Sequence, residues 1–117
     1  MESTILKGTG ATISRLSLGT MTFGAQADEA TSLRMVDIAL DGGINFFDTA
    51  DAYGKGRSEE ILGKALGNRR DRVVLASKVC NPMGPDARDG GLHRWHVIRG
   101  VEASLRRLQT DCLDICY

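Results

Sequence analysis

Short apolar runs carrying β-branched or aromatic residues alternate along this chain with segments whose apolar residues recur every three or four positions. That alternation is the strongest constraint on its fold. Residues 16–21, 44–48, 72–78 and 113–117 read as strands. Between them the spacing predicts three helices. One is capped by Asp28, carries Leu33, Val36 and Leu40 on one face, and stops at Gly42-Gly43. A second is capped by Ser58, carries Ile61, Leu62, Ala65 and Leu66, and ends at Gly67. The third runs from about Trp95 to Leu108, with Ile98, Val101, Leu105 and Leu108 inward and Arg94, Arg99, Arg106 and Arg107 on a solvated face. A small hairpin over residues 5–15, turning at Lys7-Gly8-Thr9-Gly10, precedes them. The order is a hairpin followed by β-α-β-α-β-α-β, which specifies parallel strands joined by right-handed crossovers. Two architectures have that order, a doubly wound open sheet and half of a (β/α)₈ barrel. Neither the Gly19 turn nor Gly42-Gly43 gives the spaced glycine triplet of a dinucleotide-binding sheet.

The chain has 117 residues, enough for a single domain over 1–117 with its own core and no linker or repeat. Its fifteen basic and fifteen acidic residues cancel, which argues against nucleic acid and membrane-surface partners. No apolar run approaches the roughly 20 residues of a membrane span, and no basic segment leads into an apolar signal core, so the expected location is cytoplasmic. Three cysteines, Cys80, Cys112 and Cys116, are too few and odd in number for a disulfide framework, and no histidine cluster accompanies them, so no metal site is expected.

The chemistry concentrates in Asn45-Phe46-Phe47-Asp48-Thr49-Ala50-Asp51-Ala52-Tyr53-Gly54, where a strand runs into an acid and a phenol follows five residues later. Alone, this is also the pattern of an N-capping aspartate and a loop tyrosine. Lys78 closes the strand at 72–78, a position that a solvated gatekeeper lysine also occupies. Period-2 alternation puts Val74, Ala76 and Lys78 on one side, and Ile44, Phe46 and Asp48 on one side of the earlier strand. If these strands are neighbours, the ammonium faces the carboxylate. A lysine near a phenol lowers its pKa by favouring phenolate, and the acid keeps that lysine charged, which makes Tyr53 a usable general acid. Gly19 and Thr20 end the first core strand with a bare backbone and a hydroxyl, which suits either a ligand's close approach or an ordinary turn. Residues 80–92, holding both prolines, read as a substrate loop, and His93 and His96 as helix-start or packing residues.

Gly19-Thr20-Met21-Thr22-Phe23-Gly24, then Gly43 through Gly54, then Ala76-Ser77-Lys78 resemble the aldo-keto reductase family, as do Ser58-Glu59, Ser104 through Leu108 and Thr110 through Asp114. The flavour is that of bacterial-type and potassium-channel β-subunit-like members. The resemblance implies an NADPH-dependent oxidoreductase built on a (β/α)₈ TIM barrel, with the hairpin closing its bottom, that reduces aldehyde and ketone carbonyls to alcohols. Tyr53 matches the proton donor, Lys78 the residue that tunes it, and Asp48 their acidic partner, also near the cofactor ribose. Gly19, Thr20 and Met21 match positions near the nicotinamide. The family's fourth catalytic residue, a histidine, and its phosphate-binding strands fall past Tyr117, so the chain is expected to be the N-terminal half of a barrel of about 250 residues. A part-barrel leaves the lining at Phe46, Val74 and Ala76 exposed, with edges that promote self-association. The alternative function is that of a non-catalytic fragment or a regulatory β-subunit-like protein.

Overall fold

A computed structural model describes residues 1–117. Strands β1 (Ser3–Ile5) and β2 (Thr12–Ser14) form an antiparallel hairpin. Its connection turns at Gly8 and Gly10, whose φ of 86° and 76° are backbone values that side chains rarely tolerate. Four further strands, β3 (Leu18–Gly19), β4 (Phe46–Asp48), β5 (Val74–Ser77) and β6 (Ile115–Cys116), form one parallel sheet in chain order. The crossovers carry α1 (Glu29–Asp41), α2 (Arg57–Leu66) and α3 (Arg94–Leu108). A sheet whose strands follow one another without reversal, joined by crossovers of one hand, keeps its helices on one face. That is the winding of a (β/α)₈ barrel and not of a doubly wound sheet, whose strand order reverses.

The register shows which side chains meet the helices. Leu18 pairs with Phe47 and Phe47 with Leu75, a row on the outer face of the sheet. Phe47 and Leu75 share one buried cluster with Val36 and Ala39 of α1, Ile61, Leu62, Ala65 and Leu66 of α2, and Leu108 of α3. Burying each of the larger side chains contributes about 1.5–3 kcal/mol. The alternate row, Asp48, Ala76 and Ile115, lies on the opposite face. Asn45, just before β4, holds the hairpin against the sheet: its Oδ1 accepts from Ser14 N at 2.7 Å and its Nδ2 donates to Thr12 O at 3.0 Å. The hairpin therefore sits at the strands' N-terminal ends, opposite Asp48 and Lys78.

Several expectations are corrected. The ladders are shorter than the apolar runs. Ile44 lies outside β4, donates its N–H to Ala39 O at 2.8 Å and packs against the helix-side core, so the alternation does not reach back to it. Val74 and Ala76 are buried, not exposed, because their in-register neighbours Phe46 and Ile115 flank them; Phe46 is half-buried. Ser58 does not cap α2. The chain enters that helix at Gly56, at φ 97°, and the Ser58 hydroxyl donates instead to Thr20 O at 2.7 Å, a buried acceptor from another element. On α3, Ile98 is 44% exposed. Arg107, placed by its spacing on the solvated face, turns inward instead. Asp28 does cap α1, accepting from Thr31 N at 2.8 Å. His93 caps α3 and His96 is buried. No helix is long and apolar enough to cross a membrane.

Candidate active site

β4 and β5 are adjacent and parallel, with Asp48 opposite Ala76, so the strand-end residues that follow converge. The Lys78 ammonium donates to Asp48 Oδ1 at 2.5 Å, to the Thr49 carbonyl at 2.9 Å and to the Tyr53 hydroxyl at 3.2 Å. Three acceptors satisfy its three N–H groups and set its position. The segment that carries the phenol is tied to the same strand end, since Thr49 N donates to Ala76 O at 2.9 Å and Asp51 N to Lys78 O at 3.3 Å. Beyond Tyr53 the backbone passes through Gly54, Lys55 and Gly56 at φ 57°, 53° and 97° before α2 begins.

Burial is the largest single influence on Lys78 and pushes its pKa down. The hydrogen bonds and charges of Asp48 and Tyr53 together outweigh it and hold the ammonium above its ordinary value. Lys78 and Tyr53 open onto a cavity of about 330 Å³ whose walls include Ala50, Val79, Leu92 and Tyr117. This is a mostly apolar space lined by one cation, Lys78, and two phenols, Tyr53 and Tyr117. A larger surface groove on α3, around Trp95 and Ile98, shares no residue with it. No group of three or more His, Cys, Asp or Glu side chains is placed to hold a metal ion, and all three cysteines are free.

The three residues matched to the nicotinamide end do not behave alike. Gly19 is exposed, and a Cβ there would meet nothing within 4 Å, so a flat ring has room to approach its backbone. Met21 is 65% exposed. Thr20 is fully buried and its polar groups are used internally: N donates to Asp48 O at 3.0 Å, Oγ1 donates to the same oxygen at 3.2 Å, and O accepts from Ser58. Ser58 Oγ also lies 3.3 Å from Thr49 Oγ1, so one hydroxyl network joins the ends of β3 and β4.

A second set of supports went unread in the sequence. Glu59, fully buried, accepts from the Ser77 hydroxyl at 2.6 Å and from Arg107 Nε at 2.7 Å. Arg70 reaches Asp114 Oδ2 at 2.8 Å, and that same oxygen accepts from Leu75 N. Glu59, Arg107 and Asp114 lie in stretches that carry the family resemblance, and a further signal was the run His96, Gly100, Ala103 and Arg107 at spacings of four, three and four, a polar and small stripe that all lines one cavity.

A parallel part-barrel with an Asp, Tyr and Lys meeting at its strands' C-terminal ends defines a class of α/β-barrel proteins. The sequence pattern of the Aldo/keto reductase family matches residues 15–117, and the chain belongs to that family. It is 48% identical over 98% of its length to the uncharacterized oxidoreductase YrpG of Bacillus subtilis (strain 168), and 42% identical over 98% to the aldo-keto reductase YhdN of the same organism. It is 40% identical over its whole length to a probable voltage-gated potassium channel subunit beta of Arabidopsis thaliana. The fold superimposes on aldo-keto reductase AKR11C1 from Bacillus halodurans (holo form) with a TM-score of 0.86 and 37% identity, over 99% of this chain. The chain spans 37–39% of the length of these relatives.

Proposed function

We propose that, as part of a complete barrel, the protein is an NADPH-dependent oxidoreductase that reduces aldehyde and ketone carbonyls to alcohols, with Tyr53 as proton donor. The observation that carries this reading is the Lys78 ammonium, held by Asp48 Oδ1 and the Thr49 carbonyl while its remaining N–H faces the Tyr53 oxygen at 3.2 Å. A nicotinamide cofactor, when bound, supplies the hydride that reduces the carbonyl carbon. This chain's residues supply the proton and the charge that steadies its departure. Tyr53 donates its hydroxyl proton to the carbonyl oxygen, and Lys78 stabilises the negative charge left on the phenol. Asp48 keeps Lys78 protonated and aimed, and leaves Oδ2 free for a ribose hydroxyl. The open backbone at Gly19 and the exposed Met21 fit one face of a flat ring. Thr20 acts as a positioning residue behind them. Three free thiols suit a reducing compartment, which favours the cytoplasm.

The second reading is a non-catalytic subunit, favoured by the similarity to a protein named as a probable potassium channel β subunit. One experiment separates the two. NADPH and NADH are titrated by nicotinamide fluorescence against the protein and its Tyr53→Phe variant, and both are assayed with a panel of aromatic and aliphatic aldehydes. With each chain extended to a complete barrel, the enzyme reading expects NADPH to bind both proteins and turnover to fall by about 10²-fold or more in the variant. Binding without turnover in the unaltered protein supports the subunit reading, and equal turnover in both proteins removes Tyr53 from the chemistry.

A further inference from the structure

Asp51 and His96 hold the two buried side-chain polar atoms that find no partner in the protein, Asp51 Oδ2 and His96 Nε2. The residues are only 2% and 5% exposed. Both line one cavity of about 150 Å³, with Asp89, Arg99, Gly100 and Arg107 also in its wall. Asp51 belongs to the wall of the Tyr53 and Lys78 cavity as well, so it stands between the two spaces. Buried polar atoms are almost always hydrogen-bonded, and two orphans facing one cavity point to a shared ligand.

The lining defines that ligand's chemistry. Asp51 and Asp89 share the lining with Arg99, which lies over the Trp95 ring, and Arg107, which is already paired with Glu59. A ligand joining the two orphans donates to a carboxylate oxygen and donates to or accepts from an imidazole nitrogen, and water does both. The volume admits a few water molecules at about 30 Å³ each. Gly100 keeps the wall clear: a Cβ there would lie 3.9 Å from Asp51 Oδ2 and 2.5 Å from Val79 Cγ2.

We propose that this cavity is an ordered-water site, in which water bridges Asp51 Oδ2 to His96 Nε2, and that the bridge makes His96 a positioning residue for the Tyr53 segment. Asp51 lies two residues before Tyr53, and its N–H is already held by Lys78 O at 3.3 Å. Fixing the side chain as well fixes the turn that aims the phenol. The titratable and charged groups around Asp51 are Glu59 of α2, His96, Arg99 and Arg107 of α3, Asp89 of the preceding loop, and Lys78 across the neighbouring cavity; Cys116 of β6 is near enough to feel its charge. Burial first, and then Glu59, push the Asp51 carboxyl up from its ordinary value. The role assigned to His96 rests on the proposed use of Tyr53, whereas the water site does not.

A crystal structure of the unaltered protein, refined to a resolution that shows ordered water, tests the site. Density within about 3.2 Å of both Asp51 Oδ2 and His96 Nε2 is expected. A dry cavity, a direct Asp51 to His96 contact or an ion in that place overturns it, whether or not any variant folds. Amide hydrogen exchange at residues 50–54 tests the positioning. His96→Leu is expected to speed exchange on the order of tenfold, the loss of about one hydrogen bond, and His96→Gln to restore protection. Equal exchange in the Leu variant and the unaltered protein, or no rescue by Gln, overturns it. Neither readout uses NADPH or turnover, so an inactive protein leaves both tests intact.

Discussion

Arg107 of α3 donates through Nε to Glu59 of α2 at 2.7 Å, and Glu59 has no exposed surface. Glu59 also accepts the hydroxyl of Ser77, the residue before Lys78, so the ion pair links two helices to the strand end that carries the ammonium. Removing Arg107 leaves a buried carboxylate without its cation. Arg107→Met is expected to cost about 3–5 kcal/mol in urea unfolding, whereas exposed arginines such as Arg106 change stability by under about 1 kcal/mol when replaced.

Lys78 has a folded-state pKa raised above its ordinary 10.5, so the native state holds that proton more tightly than the unfolded chain. Its contribution to stability is complete below pH 10.5 and is lost as pH rises from there through the folded value. Thermal melts across that alkaline range are expected to show a decline that Lys78→Met flattens. An unchanged decline in the variant would assign it to other groups.

Asp51 has the opposite sign of pH dependence from most acids. Its pKa is raised, chiefly by burial and then by Glu59, so the native state binds this proton more tightly than the unfolded chain. The stabilisation is present below the ordinary value of 3.8 and is lost as pH rises through the folded value. Asp51→Asn is expected to remove this contribution from a series of melts between that value and neutrality, while retaining the fold.

Lys55 adopts φ 53° and ψ 43°, a left-handed conformation that costs a non-glycine residue about 1 kcal/mol or more. It lies two residues after Tyr53, with glycines on both sides. Lys55→Gly is expected to be neutral or stabilising by up to about 1 kcal/mol, because relief of strain is partly offset by a more flexible unfolded chain. A clear loss of stability would mean that the lysine side chain makes up the strain.

β3 and β6 are the edges of the four-stranded sheet, and each presents backbone groups with no neighbouring strand on one side. Light scattering on the purified 117-residue chain is expected to show self-association at micromolar concentration. A monodisperse monomer with one cooperative melt would show that these edges are shielded.

Much of the fold could be read from local spacing. Asp28 caps its helix because the acceptor and donor lie three residues apart, within one turn. Phe47 and Leu75 face the helices because a strand alternates. The positions of Asp48, Tyr53 and Lys78 at strand ends or just after them could be read in the same way, and their motif carried the resemblance to a family. Boundaries were less legible, since an apolar run continues past the last ladder bond, as at Ile44.

The sequence alone determined the order of strands and helices, the outward row of core residues, and the residue types at the strand ends, all of which depend on neighbours within a few positions. Only the tertiary structure decided that Lys78 meets Asp48 and Tyr53, that Thr20 turns inward, and that Ser58 gives up a cap to reach Thr20 O. It likewise buried Glu59 and drew Arg107 to it. The physical reason is that periodicity tells which side of its own element a residue occupies and says nothing of what faces it. A buried polar group is stable only if another element brings its partner, and that partner lies tens of residues away.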